Sequence, residues 1–151
     1  MTEPTAHNMP DAESMAAYVA PIAAGTDGPV VMLNLNKYRT VAEYADGRDV
    51  GGQSGREIYA TYGAVALQGL AAVGAKILWA TEATTPLIGC EHDAYDEVLA
   101  IWYPSRAAFV ELTNFPGYAD ALVHRDAALA WSSLIPCLGS DDAQLHTPFD
   151  A

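Results

Sequence analysis

The sequence is poor in basic residues. It contains 7 Lys and Arg against 19 Asp and Glu, a formal net charge of −12 over 151 residues. A nucleic-acid-binding protein needs a basic surface to neutralise phosphates, and anionic membranes attract basic segments for the same reason. We therefore expect neither nucleic acid nor a membrane surface among the partners of this chain.

Long apolar runs and cysteines are scarce too. No run of about 18 apolar residues, the length that crosses a bilayer as a helix, is present, and the N-terminus lacks the basic and apolar regions of a secretory signal. The two cysteines, Cys90 and Cys137, are typical of a reducing compartment in which both remain thiols. The segment around Cys90 has no second ligand pair at a spacing that suits zinc. These absences favour a cytoplasmic protein without a metal site.

Apolar residues, in contrast, make up 51% of the chain, and charged residues make up only 17%. This composition is typical of a folded protein, and the length fits one domain with a single core. We expect tails over residues 1–10 and 139–151, an N-terminal helix over 11–24, and the main fold over 30–138.

A strand is predicted over Val30–Tyr38, where apolar and other residues alternate with a period of two. Its ordinary apolar face carries Val31, Leu33 and Leu35. Its other face carries Met32, Asn34, Asn36 and Tyr38. A strand that places amides at core positions either lines a ligand cavity or faces a wet interface, and we favour the cavity.

The rest of the chain completes a known order of elements. Periodicity and breaker residues predict helices at 56–73, 106–112 and 116–130, strands at 76–82, 95–103 and 132–138, and a long polar loop at 40–55. Pro136 favours an edge position for the last strand. A helix followed by β-α-β-β-α-β predicts a ferredoxin-like α+β plait with helices on one sheet face. The bare face would be a large apolar patch, so we expect a partner sheet, most simply in a homodimer.

Arg125 stands out among the few cations. On the helix from Pro116 it shares one stripe with Tyr118, Leu122 and Leu129, which we expect to face the sheet. A guanidinium in such a stripe needs a partner, because burying the charge unpaired is costly. One interpretation is a clamp for a substrate carboxylate, enolate or phenolate, whose planar oxygens suit the guanidinium fork. The other interpretation is an internal ion pair.

The candidate partners for an internal pair are Asp93, Asp96 and Glu97.

His124, the neighbour of Arg125, is turned about 100° around the helix. Because an imidazole titrates near neutrality, this histidine is a candidate general acid or base. A surface or capping role is the alternative, since no orienting partner adjoins it in the sequence.

Aromatic side chains with polar groups recur on the elements around the strand amides. They can wall a pocket while offering hydroxyl or indole donors, although core packing explains each of them singly. The candidates are Tyr59 and Tyr62 on the second helix, Trp79 on the second strand, where it shares a face with Ile77 and Thr81, and Tyr103 on the third strand.

Several segments resemble the family catalogued as domain of unknown function 1330, in the dimeric α+β barrel superfamily. They are the run Val31–Arg39, Tyr59 with Tyr62, Trp79, the run Tyr103–Phe109, Pro116 with Tyr118, and His124 with Arg125. The resemblance implies a ferredoxin-like protomer whose sheet packs against its mate's to close a barrel, with a small pocket between sheet and helices. It supplies no reaction, since the superfamily includes cofactor-independent monooxygenases, polyketide cyclases, muconolactone isomerases and haem proteins. No candidate proximal histidine stands on an apolar helix face, unlike in the haem branch.

Phosphate-loop, dinucleotide-binding, nucleophile-elbow and zinc-protease motifs are absent, and we expect no cofactor. We predict a cofactor-independent enzyme of isomerase, cyclase, lyase or monooxygenase type, acting on a small carbonyl, enol or phenolic oxyanion substrate. The predicted catalytic residues are His124, Arg125 and Tyr62, and the predicted substrate-binding residues are Asn34, Asn36, Tyr38, Tyr59, Trp79 and Tyr103. The alternatives are a noncatalytic dimer that binds a small ligand, and a protein whose aromatic residues fill the pocket.

Overall fold

The computed structural model describes residues 8–145 and shows a four-stranded antiparallel sheet with helices packed on one face. The elements in chain order are α1 (Ala12–Ala23), β1 (Val30–Tyr38), α2 (Gly55–Ala72), β2 (Lys76–Glu82), β3 (Glu97–Tyr103), α3 (Arg106–Glu111), α4 (Tyr118–Ala128) and β4 (Leu129–Leu138). Short 3-10 turns at Glu91–Asp93 and Leu112–Asn114 precede β3 and follow α3. Over these residues, no helix is long and apolar enough to cross a membrane.

The strands are ordered β2-β3-β1-β4, and each neighbouring pair is antiparallel. Because α2 connects β1 to β2 and α4 leads into β4, this topology is the predicted ferredoxin-like plait. The additional N-terminal helix is α1. β4 lies at the sheet edge, which confirms the position that Pro136 indicated, since an edge strand tolerates a residue without an N–H.

The helices begin where side chains or turns satisfy their first N–H groups. Asp11 caps α1 and Ser105 caps α3, each accepting from the backbone N–H three residues later, at 2.7 Å and 3.0 Å. Ser54 and Glu57 form a capping box at the start of α2. α4 begins two residues later than the sequence suggested, because Gly117 adopts a left-handed turn with φ of 83°.

The junction of α4 with β4 ties together three parts of the fold. β4 begins at Leu129 rather than at residue 132, since the chain leaves α4 directly into the sheet. The carbonyls of Ala127 and Ala128 accept hydrogen bonds from the N–H groups of Glu43 and Arg39, each within 2.9 Å. The end of α4 thereby fixes the segment that leaves β1.

The main core lies between the helices and the inner face of the sheet. β1 and β3 supply its floor, and all four helices or the turns beside them supply its roof. Its buried members include Val30, Met32, Ile101 and Tyr103 from the sheet and Tyr18, Tyr62, Leu70, Leu112 and Tyr118 from the helical layer.

The prediction that Trp79 shares a sheet face with Ile77 is wrong. A register irregularity lies between Ile77 and Trp79, so Ile77 is opposite Ile101 whereas Trp79 is opposite Ala100. Directly paired residues face the same side of a sheet, and Ile101 belongs to the core under the helices whereas Ala100 belongs to the opposite face. The extra residue of this bulge therefore turns Trp79 away from the helices.

The second face of the sheet, called the outer face below, is mainly apolar. Its residues include Val31, Leu33, Leu35, Val98, Ala100, Trp102 and Ile135. Part of it is covered by the chain after β4, because the Trp102 indole N–H donates to the carbonyl of Ser140 at 2.9 Å and Ala143 packs nearby. Residues 146–151 of the predicted tail, and residues 1–7 of the other, lie outside the described residues.

Gly55 and Gly63 provide a matched test of this packing. A Cβ at Gly55 would lie 2.3 Å from the carbonyl oxygen of Ala128 and 2.6 Å from that of Arg39, whereas a Cβ at Gly63 would meet nothing within 4 Å. Gly55→Ala should lower the free energy of unfolding by about 3 kcal/mol. Gly63→Ala, in the same helix, should raise it by about 0.5–1 kcal/mol. Urea unfolding checks both, and equal effects would contradict the close approach.

Candidate functional site

A cavity of about 680 Å³ lies between the inner sheet face and the helices. Its walls come from all four helices and all four strands, together with the N-terminal residues 8–11. The lining is predominantly apolar, and the volume falls within the range of small-molecule sites. The ferredoxin-like fold thus leaves a partly open cavity between its sheet and its helices.

Arg125 reaches this cavity from α4, on the stripe that also brings Tyr118 and Leu122 to the wall. Its Nη1 donates to the backbone carbonyl of Asn8, and its Nη2 lies 3.5 Å from the hydroxyl oxygen of Ser132. The Ser132 hydroxyl donates to Oδ1 of Asn8 at 2.9 Å. The guanidinium is therefore bonded to neutral oxygens alone within residues 8–145.

The carboxylates considered as internal partners of Arg125 are engaged elsewhere. Asp93 accepts from the backbone N–H of Cys90, Asp96 pairs with Lys37 at 3.0 Å, and Glu97 accepts from the hydroxyl of Tyr38. Within the described part of the chain, no carboxylate lies within salt-bridge distance of Arg125. Among these residues the partners of its positive charge are neutral oxygens.

Three tyrosines stand beside the guanidinium. The hydroxyl oxygens of Tyr62 and Tyr118 lie 3.0 Å apart and share a hydrogen bond. Tyr59 and Tyr62 are in tilted ring contact, with centroids 5.2 Å apart. Burial raises the pKa of all three hydroxyls, that of Tyr59 to about 12, although the Arg125 charge acts in the opposite direction. These phenols are consequently neutral donors at ordinary pH.

The polar row on β1 divides into three environments. Asn34 lines the cavity. Asn36 is only 1% exposed and donates from Nδ2 to the hydroxyl of Tyr59 at 3.3 Å, behind the cavity wall. Tyr38 stands further along, where its hydroxyl donates to Glu97 at 2.7 Å. Of this row, Asn34 is placed to touch a ligand, and Asn36 positions Tyr59.

The structure does not bring His124 and Trp79 into the cavity. His124 Nδ1 lies 2.6 Å from the hydroxyl of Tyr44, and the two rings meet edge to face at 5.6 Å. Tyr44 belongs to the long loop over residues 40–55, so His124 contacts that loop. Trp79 lies on the outer face. Tyr59, Tyr62 and Tyr103, by contrast, all line the cavity.

Sequence reasoning missed several lining residues. Arg106, at the start of α3, lines the cavity and donates from Nη1 to the carbonyl of Tyr18 at 3.2 Å. Asn8 and Ser132 orient Arg125, yet Asn8 was expected in a tail. Arg106 carried a signal, since it is a rare cation beside the capping Ser105. Asn8 carried none, because its partner is 117 residues away.

The lining offers few groups for metal binding or proton abstraction. Across residues 8–145, no three His, Cys, Asp or Glu side chains are grouped so that they could hold a metal ion. Asp11 contributes the one carboxylate among the described lining residues, and it accepts from the backbone N–H of Ser14 as the cap of α1. Both cysteines are free and exposed.

The fold and the cavity define a ferredoxin-like α+β protein with an arginine in the wall of a cavity between sheet and helices. The chain belongs to the family described as domain of unknown function (DUF1330), whose model matches residues 54–135. It is 35% identical to the methylated RPA0582 protein, a crystal structure that matches with a TM-score of 0.77 over 93% of this chain and 100% of that chain.

A second similar crystal structure is that of the RPA0582 protein of unknown function from Rhodopseudomonas palustris, a structural genomics target. It is 36% identical, with a TM-score of 0.74 over 87% of this chain and 95% of that chain. No curated protein matches this chain.

The buried tyrosines should give the protein a distinct alkaline titration. Phenols in an unfolded chain ionise near pH 10, whereas Tyr59 has a pKa raised by burial to about 12. Between these values the folded state retains a proton that the unfolded state has lost, so stability should fall as the pH rises from about 10 to about 12. Ultraviolet titration should show a late transition, and Tyr59→Phe should lower its amplitude while the other buried tyrosines, such as Tyr18 and Tyr62, still contribute to it. Ionisation of all 8 tyrosines near pH 10 in the folded protein would contradict this expectation.

Proposed function

We propose that this protein is a cofactor-independent enzyme acting on a small carbonyl, enol or phenolic oxyanion substrate inside the cavity. The observation that carries the proposal is the Arg125 guanidinium, which lines an apolar space with neutral oxygens as its partners in residues 8–145. A cation in such a place is most useful where negative charge develops on a bound molecule.

Each cavity residue has a role in this proposal that follows from its contacts. Arg125 binds the substrate oxyanion through its remaining N–H groups, as a fork that matches planar oxygens. Tyr62, hydrogen-bonded to Tyr118, supplies a neutral O–H that donates to the enolate or phenolate oxygen as charge appears there. The amide of Asn34 orients the substrate on the sheet side.

The sequence predicts His124 as a catalytic acid or base, but the proposal gives it no catalytic role. Because it contacts Tyr44 and does not belong to the cavity lining, proton donation to the substrate oxygen is assigned to Tyr62. Isomerisation, cyclisation, lyase-type cleavage and oxygenation of an electron-rich ring all pass through such an oxyanion. The proposal therefore specifies an oxyanion intermediate that these reactions share, and it does not choose among the four reaction types.

Ligand binding without turnover is the second candidate function. It is favoured by the scarcity of bases in the cavity, where Asp11 is the one carboxylate of the described lining and already caps α1. An apolar cavity with one cation binds a small anion well, and catalysis of proton abstraction would need a further base.

A homodimer that pairs the outer faces belongs to the same proposal. The outer face is mainly apolar along β1 and β3, and Trp79 and Ile135 are each 45% exposed on it. Val31, Ala100 and Trp102 are already at most 9% exposed, so the apolar surface open to a partner lies at Leu33, Leu35, Val98, Trp79 and Ile135. A two-fold pairing would cover this surface in both copies at once. The cytoplasmic location expected from the sequence stays a prediction.

Substitution of the cavity polar groups tests the activity. With enolisable carbonyl compounds and hydroquinones as substrates, Arg125→Gln should lower kcat/KM by about 10²–10³-fold, because an oxyanion donor is lost. Tyr62→Phe should lower kcat by about 10²-fold or more. Steady-state kinetics on the purified protein measures both effects.

Two controls accompany that assay. Arg48→Gln removes a surface arginine that is paired with Asp46 and should change nothing, and His124→Gln should leave the chemical step intact. Full activity in Arg125→Gln would refute the enzyme proposal. Tight binding of small anions that depends on Arg125, without turnover of any compound, would favour the second candidate.

The outer face provides a separate prediction about assembly. Ile135→Glu should convert a dimer into a monomer, because a charge would be buried without a partner at the interface. Val123→Glu is the matched control, since Val123 on α4 is also 45% exposed but lies on the helical layer. Light scattering after size-exclusion chromatography measures the mass. A wild-type monomer, or equal effects of both variants, would contradict the proposed pairing.

A further inference from the structure

The arginines of this chain fall into two groups. Arg39, Arg48 and Arg56 are surface residues, and each lies within salt-bridge distance of at least one carboxylate. Arg106 and Arg125 have no such partner among residues 8–145, and both of them line the cavity. In a chain with 19 acidic residues against 7 basic ones, the charge of Arg106 still acts on nearby Asp27, but no carboxylate of the described residues forms an ion pair with either of these arginines.

The contacts of Arg106 repeat the pattern seen at Arg125. Its Nη1 donates to the Tyr18 carbonyl at 3.2 Å, and its guanidinium carbon lies 4.9 Å from the centroid of the Tyr18 ring. Asp27, the nearby acid, accepts instead from the backbone N–H groups of Arg106 and Ala107. A guanidinium has five N–H donors, and one protein acceptor leaves most of them for a ligand.

The two cations stand at opposite ends of the cavity. Ser132, which contacts Arg125, is opposite Asn36 near the end of β1. Arg106 follows Tyr103, which is opposite Val30 at the start of β1. Those two β1 positions are six residues apart, roughly 20 Å at the rise of a strand.

The wall between the two arginines is apolar and aromatic. It includes Met32 and Ile101 on the sheet, Leu70 on α2 and Phe109 on α3. Tyr18 and Tyr103 each pack edge to face on Phe109, with centroids 5.4 Å away. A ligand that extends along the cavity would thus meet a cation, an apolar middle section and a second cation in turn.

We propose that the ligand of this cavity is an elongated dianion, with one carboxylate, enolate or phenolate group at Arg125, another at Arg106, and an apolar body between them. The inference rests on the proposed function and specifies its substrate class. A ligand with one anionic group would leave the second guanidinium partly desolvated against an apolar wall, which is unfavourable. A dianion neutralises both cations and presents its carbon skeleton to the apolar middle section.

Isothermal calorimetry with two matched series of acids tests this inference. The dicarboxylates adipate, suberate and sebacate are compared with hexanoate, octanoate and decanoate, which have the same chain lengths and one carboxylate. At the best length, the dicarboxylate should bind about 10- to 100-fold more tightly, as expected for one additional charge-assisted contact. In Arg106→Gln the advantage should disappear, while affinity for the monocarboxylate stays within about twofold.

The controls separate the inference from the proposed function. Arg48→Gln should leave both series unchanged, and Arg106→Lys should retain part of the advantage, because it keeps the charge and loses the fork. The two series are also compared in the wild-type protein, so the test remains valid even if a variant fails to fold. If dicarboxylates and monocarboxylates bind with equal affinity and that binding depends on Arg125, the proposal of a dianionic ligand is overturned and the proposed function stays in place. Failure of both series to bind would contradict the proposed function as well.

Discussion

Strand β1 is paired along nearly its whole length with β3 on one side and β4 on the other, and this double pairing sets the two faces of the molecule. Leu33 lies opposite Ala100 and Ile135. Asn34 lies opposite Leu99 and Leu134. Because side chains alternate along a strand, a slip of one residue would exchange the cavity floor with the outer face. The register of β1 therefore determines both that its amides lie under the helices and that its apolar residues lie on the outer face.

The cavity shows how a strongly acidic protein can provide a place for an anion. Most cations of the chain lie in surface ion pairs, which contribute little to stability. Arg125 is instead held by Asn8 and Ser132, whose oxygens orient the guanidinium without neutralising it. The neighbouring tyrosines remain protonated because burial raises their pKa values. The result is a positive group at one end of the cavity, beside predominantly apolar walls, where its charge is screened less than at the protein surface.

Much of the fold could be predicted, and the errors have identifiable causes. The bounds of β1 and β2 follow from local alternation and agree with the structure. The face of Trp79 could not be predicted, because the bulge beside it arises from the pairing of β2 with β3 and has no signature within β2. The stripe on α4 correctly brings Arg125 to the cavity, whereas His124, about 100° away, meets Tyr44 from a loop that has no periodicity.

The sequence by itself determined the fold class, the inward face of β1 and the position of Arg125, since each depends on spacing within a single element. Tertiary structure decided which polar groups meet. Asn8 reaches Arg125 across 117 residues, and Arg106 enters the same cavity from the far end of β3. Those contacts depend on how elements distant in sequence pack together, and residue spacing within one element carries no record of that packing.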